Sequence, residues 1–308
     1  MHCFLLLALI LYPGTTEGVI LFSDQARAAG VADAGEGNGA AFGDYDGDGW
    51  PDLVVGRLGD GEQALLYRNR GDGTFADMSE LLDSQIQTMG AAFVDNDGDG
   101  DLDLYLLHYQ STSQYYRNDG AFFSKVAAPD SVAVDQRTTG VAFGDYDGDG
   151  ALDMFTSHRF FTANQFFRSA YREGFANISN HVSALRAGQD SFSATPFDYD
   201  NDGDLDLYVS NLARPNLLHR NEGRGTFRQI AEEMGLQHAG STYGAFPADY
   251  DNDGDLDLLL ANVGEEANAL LRNDGASGFV EVGASAGLSD VANTLGALWA
   301  DYDNDGDL

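Results

Sequence analysis

The sequence predicts an all-β fold, a β-propeller of four-stranded blades. Three observations lead there. An aspartate-rich motif recurs six times, at Asp44, Asp95, Asp145, Asp198, Asp249 and Asp301, a spacing of about fifty residues that marks a repeat architecture. Apolar runs of four to seven residues flank each copy, bounded by Gly, Asn or Asp, which is strand length and not helix length. Glycine is abundant at 38 against 6 prolines, which suits many tight turns.

Within each repeat the strands follow in a fixed order. The first precedes the acidic motif: Gly39-Ala40-Ala41-Phe42, Gly90-Ala91-Ala92-Phe93, Gly140-Val141-Ala142-Phe143, Gly244-Ala245-Phe246 and Gly296-Ala297-Leu298-Trp299, with a looser fourth copy at Ser193 to Phe197. A second run follows the motif, as in Leu102 to Leu107 and Leu205 to Val209. These runs are continuously apolar, the pattern of a strand covered on both faces by neighbours. A third run ends in Arg-Asn at Arg68-Asn69, Arg117-Asn118, Arg220-Asn221 and Arg272-Asn273. The fourth begins at Phe75, Phe175, Phe227 and Phe279. Four short strands in series make one blade.

The ends of the chain carry expectations of their own. Residues 1–18 read as a secretory signal, with an apolar core from Phe4 to Tyr12 and a small-residue cleavage site at Thr16-Glu17-Gly18. The one cysteine, Cys3, lies inside it, so a mature chain has no disulfide or thiol chemistry. Residues 19–308 form the propeller, beginning with a segment, Val19 to Val31, that resembles Gly278 to Leu288 and reads as a fourth strand able to close the ring. Leu308 falls inside the sixth acidic loop, which predicts a longer protein of about seven blades. No stretch in the body of the chain is apolar enough to cross a bilayer.

Charge narrows the function. Sixteen Lys and Arg stand against 50 Asp and Glu, a net charge of −34, and Lys125 is the one lysine. Such a surface repels phosphate backbones and anionic lipid, which excludes nucleic acid and electrostatic membrane binding as partners. More than half of the carboxylates sit in the six loops, a concentration that points to a bound cation.

The loops share Asp at positions 1, 3 and 5, Gly at 6 and an apolar residue at 8. Alternate carboxylates in a tight turn converge on one point, and the glycine permits the bend. Two carboxylates about 4.5 Å apart repel by roughly 4 kcal/mol at an effective dielectric of 20, so several such pairs call for a neutralising ion. All-oxygen donors suit Ca²⁺, about one per repeat; the absence of His and Cys from the loops argues against Zn²⁺. An EF-hand requires Glu at position 12, where this chain has Val55, Leu106, Thr156, Val209 and Leu260.

The stretch Gly140 to Gly150, Gly-Val-Ala-Phe-Gly-Asp-Tyr-Asp-Gly-Asp-Gly, resembles the FG-GAP repeats of integrin α-chain propellers and their bacterial VCBS relatives. Leu218 to Phe227 is similar to the repeat region of the cartilage acidic protein and the ASPIC/UnbV group. The resemblance implies calcium ligation by side chains at positions 1, 3, 5 and 9 and by the carbonyl at 7. Transferred to this chain, the ligands are Asp44, Asp46, Asp48, Trp50 and Asp52; Asp95, Asp97, Asp99, Asp101 and Asp103; and Asp145, Asp147, Asp149, Ala151 and Asp153. The later loops contribute Asp198, Asp200, Asp202, Asp204 and Asp206; Asp249, Asp251, Asp253, Asp255 and Asp257; and Asp301, Asp303, Asp305 and Asp307. Six loops exceed what integrin α-chains usually carry, so integrin-like pairing does not transfer.

The function expected is a secreted calcium-binding module for adhesion or recognition of an extracellular protein or glycan, at the cell surface or in the periplasm if the source is bacterial. Its ligand face is expected at the loops between second and third strands, with Arg57, His108, Tyr109, His158, Arg159, Phe160, Phe161 and Arg214. The alternative is a polysaccharide lyase or hydrolase on the same scaffold. The sequence has no Ser-His-Asp order, Cys-His pair or His-Glu-x-x-His motif, and the catalytic set is expected to be empty. Arg70-Gly71-Asp72 reads as a by-product of the repeat, and Asn177-Ile178-Ser179 as a sequon on a strand edge.

Overall fold

The computed structural model describes residues 7–9, 22–59, 61–83, 85–108, 111–120, 122–126, 138–160, 162–169, 175–182, 190–236, 240–288, 291, 293–301 and 306–308. Strands β1 (Leu7–Leu9) and β2 (Phe22–Asp24) pair antiparallel with each other. One helical turn follows at Ala26–Ala29. A strand therefore forms at Phe22, within the segment expected to supply one, and it pairs with Leu7–Leu9. Most of the expected secretory segment lies outside the described residues.

Five four-stranded antiparallel sheets follow, each in simple sequential order. The first contains β3 (Gly37–Gly43), β4 (Asp52–Arg57), β5 (Leu65–Asn69) and β6 (Phe75–Asp77). The second contains β7 (Thr88–Val94), β8 (Asp103–His108), β9 (Gln114–Asn118) and β10 (Phe123–Val126). In the third are β11 (Thr138–Gly144), β12 (Asp153–His158), β13 (Gln165–Ser169) and β14 (Phe175–Asn177). The fourth holds β15 (Ser191–Phe197), β16 (Asp206–Asn211), β17 (Leu217–Asn221) and β18 (Phe227–Gln229). The fifth holds β19 (Ser241–Ala248), β20 (Asp257–Val263), β21 (Ala269–Asn273) and β22 (Phe279–Glu281). These are the blades of the predicted β-propeller.

Two compact units divide the chain: Met1–Asp95 with Asp99–Ala127, and Asn96–Gly98 with Ala128–Leu308. The first carries the first two blades and the second the other three. Within each unit, neighbouring blades bury their second and third strands against each other. In the first, Val54, Leu66, Leu104, Leu106 and Tyr116 form one cluster, all at most 1% exposed. In the second, Tyr146, Phe155, Phe166, Leu207 and Phe227 form a cluster, with Tyr146, Phe166 and Phe227 meeting edge to face. Every residue of β8, β12 and β16 is buried, as their unbroken apolar runs predict. The fourth strands are exposed at their far ends, the mark of an outer edge.

The first strand of every blade carries a bulge at the same repeat position. The register slips between Asn38 and Ala40, Thr88 and Gly90, Thr138 and Gly140, Ser191 and Ser193, and Thr242 and Gly244. The extra residue, Gly39, Met89, Thr139, Phe192 or Tyr243, has no partner across the ladder. Thr139 instead donates its hydroxyl to the Ser191 carbonyl of the next blade at 2.9 Å, and the Phe192 and Tyr243 rings lie 3.9 Å apart.

Candidate metal centres

The hairpin between first and second strands holds the acidic motif. Its shape comes from the aspartates' own hydrogen bonds. The position 1 carboxylate accepts the amide of the position 6 glycine in all six loops: Gly49 to Asp44 at 2.8 Å, Gly100 to Asp95 at 3.1 Å, Gly150 to Asp145 at 2.9 Å, Gly203 to Asp198 at 2.9 Å, Gly254 to Asp249 at 3.0 Å and Gly306 to Asp301 at 3.0 Å. Each of these glycines has a φ between 89° and 97°, open to glycine and strained for other residues. The position 5 carboxylate accepts the amide of position 7, as from Trp50 to Asp48 at 2.9 Å and Asp255 to Asp253 at 2.9 Å.

This folding draws the carboxylates together. Oxygens of Asp44, Asp46 and Asp48 lie within 4.8 Å of one another, and so do those of Asp95, Asp97 and Asp99. The same holds for Asp145, Asp147 and Asp153, for Asp198, Asp200 and Asp206, and for Asp249, Asp251 and Asp257. Five loops thus present three or more hard oxygens to a common point, a donor set that fits a divalent hard cation. In the sixth, Asp303 and Asp305 lie outside the described residues.

Position 9 does more than face that point. Asp52, Asp103, Asp153, Asp206 and Asp257 begin the second strands and are at most 1% exposed. One oxygen accepts the amide of position 2, from Tyr45 at 3.0 Å, Tyr146 at 3.3 Å, Tyr199 at 3.0 Å and Tyr250 at 3.0 Å. The other accepts an amide at the end of the third strand, from Asn69 at 2.7 Å, Asn118 at 2.8 Å, Ser169 at 2.9 Å, Asn221 at 2.8 Å and Asn273 at 2.7 Å. Burial pushes Asp52 and Asp153 up to about 6 and Asp206 to about 7, with the backbone amides pulling back. Asp52, Asp153, Asp206 and Asp257 keep further lone pairs for a metal, whereas Asp103 also accepts the Tyr115 hydroxyl. The aspartate is at once a tether and a candidate ligand.

Two residue types at the end of the third strand complete the site, and the sequence reading gave neither a role. Arg168 lies 2.7 Å from Asp147 and 3.2 Å from Asp149; Arg220 lies 3.2 Å from Asp200 and 3.5 Å from Asp202. The following asparagine binds two carbonyls. Asn118 donates to Tyr45 of the preceding blade at 2.6 Å and to Leu102 of its own loop at 3.1 Å. Asn273 does the same with Tyr199 at 2.8 Å and Leu256 at 3.3 Å. The recurrence of Arg-Asn about 22 to 24 residues after four of the acidic motifs, with Arg168-Ser169 after the third, was the available signal.

At the opposite end of the sheets, the expected ligand face needs correction. His108 and His158 are not loop residues; they end β8 and β12 with no exposed surface. Their rings meet the hydroxyls of Thr88 at 3.2 Å and Thr156 at 3.0 Å. Arg57 ends β4 and is held by Asp33 at 3.2 Å and Glu62 at 2.8 Å. Tyr109 and Phe161 lie outside the described residues. Arg214 is exposed, as is Phe160. Arg159 pairs with Asp190 at 3.2 Å, its guanidinium 4.9 Å from the centre of the Phe160 ring. In Arg70-Gly71-Asp72, Asp72 is occupied with its own turn, accepting the amide and hydroxyl of Thr74 at 2.9 and 2.6 Å.

Among solved structures, the chain is similar to a lectin of Agrocybe aegerita described as recognising non-reducing terminal N-acetylglucosamine, with 19% identity and a TM-score of 0.54 over 83% of this chain and 68% of that one. It is also similar to BBS1N in complex with ARL6DN, with 13% identity and a TM-score of 0.52 over 81% and 67% of the two chains. At such identities the likeness is one of fold. No curated protein sequence matches. The FG-GAP-like repeat pattern matches residues 44–106, 95–156, 198–260 and 249–308, each span running from one acidic loop through the next. With most of the chain covered by a pattern centred on these loops, the protein belongs to the FG-GAP-like repeat family.

Proposed function

We propose that this chain is a secreted recognition module that binds a protein or glycan through the loops between second and third strands, with calcium holding the acidic loops at the other end. The observation that carries the recognition reading is Phe160. It is half exposed, at 50%, and its φ is 57°. At the same repeat position stand Ala213, with φ 52°, and Gly264, with φ 92°. All three amides are held by a side chain of the following repeat: Phe160 by Asp190 at 2.9 Å, Ala213 by Ser241 at 3.0 Å, and Gly264 by Asn293 at 2.7 Å. The turn therefore needs no aromatic residue. A left-handed backbone costs a residue with a Cβ about 1–2 kcal/mol, and bulk adds to the strain. A strained, exposed ring beside an Arg–Asp pair supports a binding role for this loop.

Calcium is supported by the oxygen-only convergence of the loops and by family membership. When bound, it supplies the charge that neutralises the clustered carboxylates. Secretion is supported by the apolar stretch at Phe4 to Tyr12. The finer likeness to the cartilage acidic protein and the ASPIC/UnbV group rests on the Arg-Asn strand ends.

The test is a glycan and protein-partner screen with the complete chain, run with and without chelator. Phe160→Ala, which copies Ala213, is expected to keep the melting temperature and abolish binding. A ligand held equally well by Phe160→Ala and Arg159→Gln variants would overturn this face.

A further inference from the structure

We infer that the fourth and fifth acidic loops are mechanically linked, so that calcium binding at one favours binding at the other, whereas the first three lack the linking side chain. This rests on the calcium reading above. Position 4 is Gly47, Gly98 and Gly148 in the first three loops, and Asn201, Asn252 and Asn304 in the last three. The asparagines are not required for the bend, since glycine serves in the other loops. Both described ones hold a left-handed backbone, with φ 56° at Asn201 and 60° at Asn252.

Their side chains reach into the next loop. Asn201 donates through Nδ2 to the Asp255 carboxylate at 2.8 Å and to the Gly254 carbonyl at 3.2 Å. Asn252 donates to Asp307 at 2.9 Å. The acceptor is position 7 each time. Asp255 is itself fixed to Asp253, a position 5 aspartate, through its amide at 2.9 Å. A continuous path runs from Asp253 through Asp255 to Asn201, which sits between the candidate ligands Asp200 and Asp202. Without a cation the carboxylates repel and each loop relaxes. Fixing Asp253 fixes Asp255, and so holds the neighbouring loop in the shape its own ion needs. The first three loops have glycine where the donor must be, although Asp101 and Asp204 offer the acceptor.

Such a link makes the two affinities depend on each other, and a coupling of about 5-fold between adjacent loops is at the lower end of the usual range. The experiment is calcium titration of the complete chain by calorimetry, with bound calcium counted by elemental analysis. Wild type is expected to bind with a Hill slope above one. Asn201→Gly combined with Asn252→Gly copies the first three loops, and is expected to bind the same number of ions with a lower slope. Asp255→Ala, which removes the carboxylate acceptor but leaves the Gly254 carbonyl and its own backbone carbonyl in place, is expected to lower the slope by less than the asparagine substitutions. Equal slopes in wild type and both variants, with calcium bound, overturn the link and leave the calcium reading standing. No bound calcium in any of them overturns both.

Discussion

Asn221 reaches 75 residues back along the chain to Tyr146, its side-chain amide 2.8 Å from the tyrosine carbonyl. The same amide also meets the Leu205 carbonyl at 3.2 Å. One buried side chain thereby fastens its own acidic loop to that of the preceding blade. Replacing Asn221 with alanine leaves both carbonyls without this donor. A loss of about 1–3 kcal/mol is expected, read from the urea midpoint. Ser169 occupies the corresponding position in the third blade, so Asn221→Ser is expected to fold and to be similarly weakened.

Aspartates at positions 9 and 5 should separate by their response to chelator. Asp206 is buried with two amide bonds, so Asp206→Ala is expected to lose about 2–4 kcal/mol with or without calcium. Asp202 sits at the loop surface, and Asp202→Asn is expected to be weaker than wild type in calcium and no weaker than it in EGTA, where one repelling charge is gone. For the wild-type chain, millimolar calcium over extracellular-type sites contributes about 0.4–1.4 kcal/mol each, or roughly 2–7 kcal/mol over five complete loops. Thermal unfolding in calcium and in EGTA measures all three proteins. An unchanged wild-type melting temperature in EGTA, with no calcium found by elemental analysis, defeats the calcium reading.

His219 supplies a pH test. It is 1% exposed in β17, neither ring nitrogen has a hydrogen-bond partner, and burial pushes its pKa down to about 4. The unfolded chain, titrating near 6.5, takes up the proton first. Stability from neutral His219 is therefore complete above about pH 6.5 and falls toward pH 4, by about 3 kcal/mol in all. Phe167 and Leu271 fill the same repeat position. His219→Leu is expected to flatten the stability profile between pH 6.5 and 4; an unaltered slope would place the acid response elsewhere.

Arg168 bears on metal affinity. Its guanidinium lies within 3.2 Å of Asp147 and Asp149, where it offsets their repulsion and opposes an arriving cation. Arg168→Gln is expected to bind calcium several-fold more tightly at the third loop and to melt earlier in EGTA. Titration calorimetry and a melting curve read the two effects.

The acidic loops were legible in the sequence because their geometry is local. Asp at 1, 3 and 5 with Gly at 6 is fulfilled by bonds such as Gly49 to Asp44, within one turn. The tether at position 9 was hidden, since it depends on an amide such as Asn221 on another strand. His108 and His158 were misread as loop residues for a related reason. Polarity suggests exposure, yet at this end of the blades polar side chains are buried and satisfy one another. Ser191 bonds Asn211 at 2.8 Å, and Asn216 bonds Thr242 of the next blade at 2.9 Å. The looser fourth copy, Ser193 to Phe197, formed its strand regardless, because Pro196 and Phe197 keep the ladder with Leu207 and Asp206.

The recurring bulge has a consequence for how such a chain can diversify. A residue excused from its own ladder answers to its neighbours alone, and the five occupants run from Gly39 through Met89 and Thr139 to the aromatic pair Phe192 and Tyr243. Each duplication of the unit would deliver a fresh copy of this permissive slot. Novel side chains can be tried there while the rest of the sheet stays as inherited.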